Sequence, residues 1–269
     1  SRCGHVRHRH LSRLRQRQRV IRARGNALTG SGTSIGSTVG IGVRADGGLN
    51  LGQNTTGNNI YIGYQSGYFN TTGSYNQFSG YRSGYSNTTG NNNQFSGTYS
   101  GTNNTTGNNN QFSGKSSGYN NTTGSNNVFS GTNSGFSNTT GSDNLFSGTQ
   151  SGYNNTTGYN NLFSGYNSGA SNTTGTNNTA LGNNSGPARG SGGLTNATAL
   201  GANVSLTRSN TVILGSAANV GIGTQTPTYK LDVVGDINAS GAVRSSGVVL
   251  TSDRRLKRNI TPSAYGLNT

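Results

Sequence analysis

The chain of 269 residues contains no Met, no Trp and no Glu, a single Cys and only three Pro. Each scarcity removes a class of protein. One cysteine excludes an intrachain disulfide framework. No apolar run approaches the length of about 18 residues that a membrane span needs, so neither a membrane-spanning helix nor a signal-peptide core is expected in this stretch. Helix formers are sparse and no heptad is sustained, so almost no helix is expected before residue 250. Hydrophobic residues make up 28% of the chain and aromatics 8%, too little for a conventional globular interior. Disordered chains of such low hydrophobicity are usually rich in charge, yet only 9% of these residues are charged. What is abundant is Gly (45 residues), together with Asn, Ser and Thr, the material of turns and short strands.

The formal charge of +15 is unevenly spread. Residues 1–25 carry nine Arg and no acid, and residues 252–269 carry four basic residues and Asp253. The stretch between them holds seven Lys or Arg against Asp46, Asp143, Asp232 and Asp236, so it is only weakly positive and offers no specific nucleic-acid groove. Residues 1–25 read either as a basic arm for phosphate or acidic polysaccharide, or as a disordered or mis-framed tail. Cys3, His5, His8 and His10 fit no standard metal spacing, and neither metal nor cofactor is expected. Residues 26–53 are irregular, with glycine alternating with β-branched residues, as in first coils. Gly30 to Gly36 resembles a phosphate loop only superficially, since no helix pattern follows it.

From Asn54 the chain becomes periodic. Asn-Thr-Thr-Gly recurs at Asn54, Asn70, Asn87, Asn104, Asn121, Asn138, Asn155 and Asn172, with one step of 16 and then six of 17. Such a period in a glycine-rich, charge-poor stretch predicts stacked coils of a parallel β-roll or β-solenoid, an all-β fold. One large apolar residue per coil holds a constant place: Tyr61, Phe78, Phe95, Phe112, Phe129, Phe146 and Phe163, then Ala180. That column is expected to point inward. Strand side chains alternate, so the preceding column (Gln77, Gln94, Gln111, Val128, Leu145, Leu162) is expected on the outer face, towards solvent or another subunit. The paired glycines, as in Gly80 with Gly84 and Gly97 with Gly101, are expected to turn the coil, and Asn and Ser to form ladders between coils. At about 4.8 Å per coil, the rod before residue 215 spans on the order of 50 Å. One buried Phe contributes about 2 kcal/mol, against about 1 kcal/mol or more for ordering each residue of the coil. Burial of a second face is therefore expected, and with it an oligomer.

Beyond Asn172 the period changes. Asn178-Thr179-Ala180-Leu181-Gly182, Asn196-Ala197-Thr198-Ala199-Leu200-Gly201 and Asn210-Thr211-Val212-Ile213-Leu214-Gly215 resemble head repeats of trimeric autotransporter adhesins, the last two lying 14 apart. The units upstream resemble repeats of phage-type tail fibres and bacterial surface proteins, with Ser79, Ser96, Ser113, Ser130, Ser147 and Ser164 where such repeats place an aliphatic residue. Asn219 to Ile237 resembles the connector that joins such rolls to a C-terminal domain. Ser252-Asp253-Arg254-Arg255-Leu256-Lys257 is similar to the opening of an endosialidase-type intramolecular chaperone. The resemblance implies 17-residue coils over 54–187, head-like coils over 188–223, a connector over 224–251 and the start of the chaperone domain over 252–269. It also implies a homotrimer outside the cell or on a virion.

In that family the chaperone domain cuts itself off, which implies Ser252 as nucleophile and Lys257 as its basic partner. With the rest of the domain missing after Thr269, this stretch is expected not to cleave, and the protein is expected not to be an enzyme. No other catalytic group set converges in the pattern. The expected function is a structural fibre or adhesin shaft presenting a binding surface, with cell-surface glycans as ligands of columns that include Tyr81, Tyr85 and Tyr119. Two alternatives stand beside it: an ice-binding solenoid built on the threonine pairs, and a self-cleaving serine peptidase in a longer precursor. Adjacent threonines face opposite ways in a strand, which disfavours a flat hydroxyl array. The Asn-x-Thr sequons could carry glycans in a eukaryotic secretory path, although the motif reads first as a turn.

Overall fold

The repeat brackets a three-residue β-forming stretch, such as Gln94-Phe95-Ser96, between Asn93 and Gly97, so each strand is short and its ends are fixed. A computed structural model describes residues 39–41, 57–237, 240, 244–245 and 248–249. Its elements are β1 (Val39–Ile41), β2 (Ile60–Ile62), β3 (Gln77–Ser79), β4 (Gln94–Ser96), β5 (Gln111–Ser113), β6 (Val128–Ser130), β7 (Leu145–Ser147), β8 (Leu162–Ser164) and β9 (Thr179–Leu181). They continue as β10 (Gly186–Pro187), β11 (Thr198–Leu200), β12 (Ser205–Leu206), β13 (Val212–Leu214), β14 (Val220–Ile222), β15 (Leu231–Val233), β16 (Arg244–Ser245) and β17 (Val248–Val249). No helix occurs among the described residues.

The described residues of the first unit, Ser1–Ala218, form a parallel β-solenoid. Eleven strands, β1 to β9 followed by β11 and β13, form one ladder in chain order. The register is constant: Phe78 pairs with Phe95, Phe95 with Phe112, and Phe146 with Phe163, so one coil takes one repeat. From β2 to β9, and again in β11, the central residue is buried and its flanks are more exposed. The buried rings stack face to face from Phe78 to Phe163 with centroids 4.7–4.9 Å apart, the spacing of paired strands. Beyond Phe163 the column continues as Ala180 and Ala199, and Val204 and Leu206 complete the interior there.

Phenylalanine fills only part of each coil. Two asparagine columns, one beginning Asn70, Asn87, Asn104 and the other Asn59, Asn76, Asn93, are buried as deeply as the rings. In the first, each amide donates to the next: Asn104 Nδ2 to Asn87 Oδ1 at 2.8 Å, and Asn121 Nδ2 to Asn104 Oδ1 at 2.7 Å. In the second, each Oδ1 accepts from the backbone N–H one coil on, as Asn93 Oδ1 does from Asn110 N at 3.0 Å. The two columns meet at the glycine of Asn-Thr-Thr-Gly. Gly107 O accepts from Asn104 Nδ2 at 3.1 Å and from Asn93 Nδ2 at 2.8 Å. A side chain there has no room, because a Cβ on Gly107 would collide with Gly124 O. A third polar column ties the strand to its neighbour coil, with Ser100 Oγ donating to Phe112 O at 3.2 Å. Polar groups buried this way are satisfied, so they stabilise the coil rather than oppose its burial.

Two different conformations make the corner that the paired glycines occupy. Gly97 has φ +138° and faces Gly114 O, while Gly101 has φ +57° and lies against the Phe95 ring. Only glycine reaches the first region without strain, and a Cβ at the second would enter the ring stack.

The regular step holds from Ile60 to Thr179 and is broken on either side of that range. The coil from Thr179 to Thr198 is longer than the repeat, with Gly186–Pro187 pairing Ser205–Leu206 in a separate two-stranded ladder, and the coil from Thr198 to Val212 is shorter. The second unit is Asn219–Thr269. Val220–Ile222 pairs in parallel with Leu231–Val233 in a two-stranded ladder of its own. Its intervening loop is pinned by Asn219 Nδ2 to Pro227 O at 3.0 Å and by Thr228 N to Asp232 Oδ2 at 2.9 Å.

Candidate functional site

With rings, Asn and Ser turned inward, the outer columns are what the solenoid can use. The strand face presents the residues on either side of each buried ring. In the middle coils this face is Gln94, Gln111, Ser96 and Ser113, all exposed. On either side of that polar stretch it becomes apolar: Ile60 and Ile62 on β2, and Leu145, Leu181, Val212 and Leu214 from β7 to β13, are exposed large hydrophobic residues.

The threonine pairs lie in bends, not strands, and their two side chains still divide. Thr88 is half-buried and its Oγ1 donates to Thr105 O at 3.0 Å, a bond repeated by Thr105 and Thr122. Thr89, Thr106, Thr123 and Thr140 form one exposed row. The asparagines of the described Asn-Thr-Thr sequons lie inside the coil with Nδ2 engaged, so the folded solenoid leaves that nitrogen inaccessible to glycan transfer.

A second aromatic column runs along the solenoid at the residue following the second glycine of each pair. It contains Tyr68, Tyr85, Tyr119, Phe136 and Tyr153, interrupted by Thr102 and ended by Ala170. Tyr68 stacks on Tyr85 at 5.5 Å, Tyr119 on Phe136 at 5.2 Å and Phe136 on Tyr153 at 5.2 Å. Stacked rings cover one another's faces and leave edges and hydroxyls to solvent. The interruption at Thr102 is filled from the neighbouring column. Tyr99, at φ +60°, packs edge-on between Tyr81 and Tyr119. Desolvation there, followed by its hydrogen bond with the Tyr81 phenol, holds the Tyr99 hydroxyl above the ordinary tyrosine value. Arg82 lies over Tyr81 and Tyr85 at 5.6 and 5.1 Å from the ring centres, and its Nε donates to Gln65 Oε1 at 2.7 Å.

The second interruption is not filled. At Ala170 the residue that corresponds to Tyr99 is Asn167, too short to reach over the neighbouring ring. The result is a cleft of about 340 Å3 against Tyr153, with Gln150, Asn167 and Asn184 along one wall and Asn154 and Ser171 along the other. Arg189, carried in by the longer coil, is the charged residue that lines it. A shallower recess of about 410 Å3 adjoins it across Asn154, Ser171 and Arg189.

Ser252 and Lys257, the residues singled out for self-cleavage, lie outside the described residues, as do Cys3, His5, His8, His10 and Asp46. Asp143 is on the solenoid surface, where its Oδ1 accepts from Asn126 Nδ2 at 3.0 Å, and Asp232 and Asp236 belong to the second unit. No group of three or more His, Cys, Asp or Glu able to hold a metal occurs among the described residues. Among the same residues no helix is long and apolar enough to cross a membrane. Comparison with family models, with curated proteins and with solved structures found no match. The cleft was absent from the sequence reading, though it had a signal: the aromatic residue after Gly67, Gly84, Gly118, Gly135 and Gly152 is replaced by Ala after Gly169.

Proposed function

We propose that the protein is a structural shaft, a fibre or adhesin segment displayed outside a cell or on a virion, that assembles as a homotrimer and presents its outer columns to glycans. The observation that carries this reading is the strand face. A regular, in-register sheet carries exposed apolar side chains on both sides of its polar stretch, with Val212 66% and Leu214 46% accessible. Contiguous exposed apolar surface of this kind marks an interaction site. The second unit repeats the pattern, since Tyr229, Val234 and Ile237 are each more than two-thirds exposed. Association through parallel copies covers such residues without a new fold, and the resemblance to adhesin heads favours three copies.

The shaft reading also accounts for how little chemistry the solenoid surface carries. Its columns are amides and hydroxyls, and each coil touches chiefly the coils beside it, so length is gained by adding repeats. Glycan binding then depends on where a ring face is open, since the stacked rings expose only their rims. Self-cleavage, with Ser252 as nucleophile and Lys257 as base, is an alternative that rests on the family resemblance alone. The test is the solution mass of the full chain by light scattering across a concentration series. Three times 27.7 kDa supports the shaft. A folded monomer at all concentrations refutes the trimer and makes thermal hysteresis, the assay for the ice-binding alternative, the next measurement.

A further inference from the structure

We infer that the cleft beside Tyr153 is a binding site for an acidic pyranose, a sugar ring bearing a carboxylate. The inference rests on the shaft reading in one respect only, that the surface meets glycans, and it names where and which kind. Along the second aromatic column, the Tyr153 ring stacks on Phe136 on one side and has Ala170 in place of a ring on the other. Its free face is the platform on which the C–H face of a pyranose packs. The comparable interruption at Thr102 is closed by Tyr99, so the opening at Ala170 is a local departure from the pattern and not a property of every coil.

The walls match a sugar's hydroxyls. Gln150, Asn167 and Asn184 follow one another on successive coils, and the backbone at Asn167 is held at φ +54° and at Gln150 at φ +59°. Each primary amide offers both donors and an acceptor, the complement of vicinal hydroxyl groups. Asn154 and Ser171 supply the same chemistry from the opposite wall, although Asn154 Nδ2 already donates to Ala170 O at 2.8 Å. Arg189 is exposed, and no ion pair engages it among the described residues. Its planar fork of donors suits a carboxylate, and this selects an acidic sugar over a neutral one. The open face and the row of amides argue for a sugar over a simple inorganic anion, which needs neither.

The test titrates the full chain with methyl α-D-glucuronide, methyl α-D-glucoside and inorganic phosphate at equal ionic strength, followed by ligand-observed NMR and calorimetry. Both sugars share a ring and differ in the carboxylate. The glucuronide is expected to bind at about millimolar strength, and the glucoside about fivefold more weakly, as for an exposed ion pair. Arg189→Gln is expected to erase that difference while leaving glucoside binding in place. Ala170→Tyr extends the ring stack over Tyr153, so it is expected to abolish binding of both sugars and to raise the thermal midpoint. Failure of both sugars to bind the wild-type chain overturns the inference. So does wild-type binding by a folded Ala170→Tyr variant, or phosphate binding as tight as that of the glucuronide. Light scattering on the same samples separates the two readings: a trimer that binds no sugar refutes this site alone, and a monomer that binds refutes the shaft alone.

Discussion

Replacing Asn104 by Asp tests whether the interior amide ladder holds the coils together, because it alters one hydrogen-bonding group with almost no change in shape. Asn104 Nδ2 donates to Asn87 Oδ1 at 2.8 Å and to Gly107 O at 3.1 Å, and its Oδ1 accepts from Asn121 Nδ2 at 2.7 Å. A carboxylate in that place can only accept, and it would face two acceptor oxygens from inside the coil. A protonated carboxyl restores the bond to Asn87 and keeps the one from Asn121. It loses only the bond to Gly107 O, which still receives Asn93 Nδ2 at 2.8 Å. The neutral acid therefore costs about 1 kcal/mol. Holding the proton at pH 7 against an unfolded-state pKa of about 3.9 adds about 4 kcal/mol, for a total of about 5.

At pH 4 the unfolded chain is itself nearly half protonated, and the total falls to about 1.5 kcal/mol. The sign follows from proton counts. The folded variant binds more protons than the unfolded one between about pH 4 and 7, so its stability falls as pH rises through that window. The assay is urea unfolding followed by circular dichroism at pH 4 and pH 7, at one protein concentration, beside wild type and Asn104→Ala. Asn104→Ala loses all three of these bonds and has no titrating group, so its deficit is expected to be equal at both pH values. If Asn104→Asp matches Asn104→Ala in lacking pH dependence, the ladder does not carry the stability assigned to it.

Four further outcomes are expected. Phe112→Ala removes a fully buried ring from between two stacked neighbours; a loss of about 3–5 kcal/mol in the same unfolding assay is expected, and a loss below about 1 would contradict the interior assignment. Gly97→Ala places a Cβ 2.5 Å from Gly114 O at φ +138° and is expected to cost about 1–3 kcal/mol or more, measured by thermal melting. Leu214→Asp puts charge on the apolar end of the strand face; light scattering is expected to show smaller species with the circular dichroism spectrum kept, and an unchanged mass would remove that face from the interface. Tyr99, whose hydroxyl is held high by desolvation and then by Tyr81, favours the neutral form in the folded state. Stability tied to it is thus present below the ordinary tyrosine value and lost as pH rises through the folded one. NMR of labelled tyrosine is expected to show Tyr81→Phe moving the Tyr99 titration downward.

The candidate site was less legible than the scaffold that bears it. Tyr85 and Tyr119 were visible as recurring aromatics. Nothing in the spacing said that their rings would stack and hide their faces, or that Tyr99 would cross from another position to close the gap at Thr102. The replacement of an aromatic by Ala170 was there to be read. Its consequence depended on Asn167 being too short to fill the gap and on the longer coil bringing in Arg189.

The sequence by itself determined the coil. A constant step from repeat to repeat, one ring per step and glycines at fixed offsets leave a parallel in-register stack as the arrangement that puts every Phe beside another. It did so because periodicity is a statement about which side chains are equivalent, and equivalence in a solenoid means direct contact. Tertiary structure alone decided how a coil so poor in apolar residues fills its interior. The Asn of Asn-Thr-Thr-Gly reads locally as a turn residue, and only the neighbouring coil supplies the Oδ1 and the glycine carbonyl that turn it into a buried ladder.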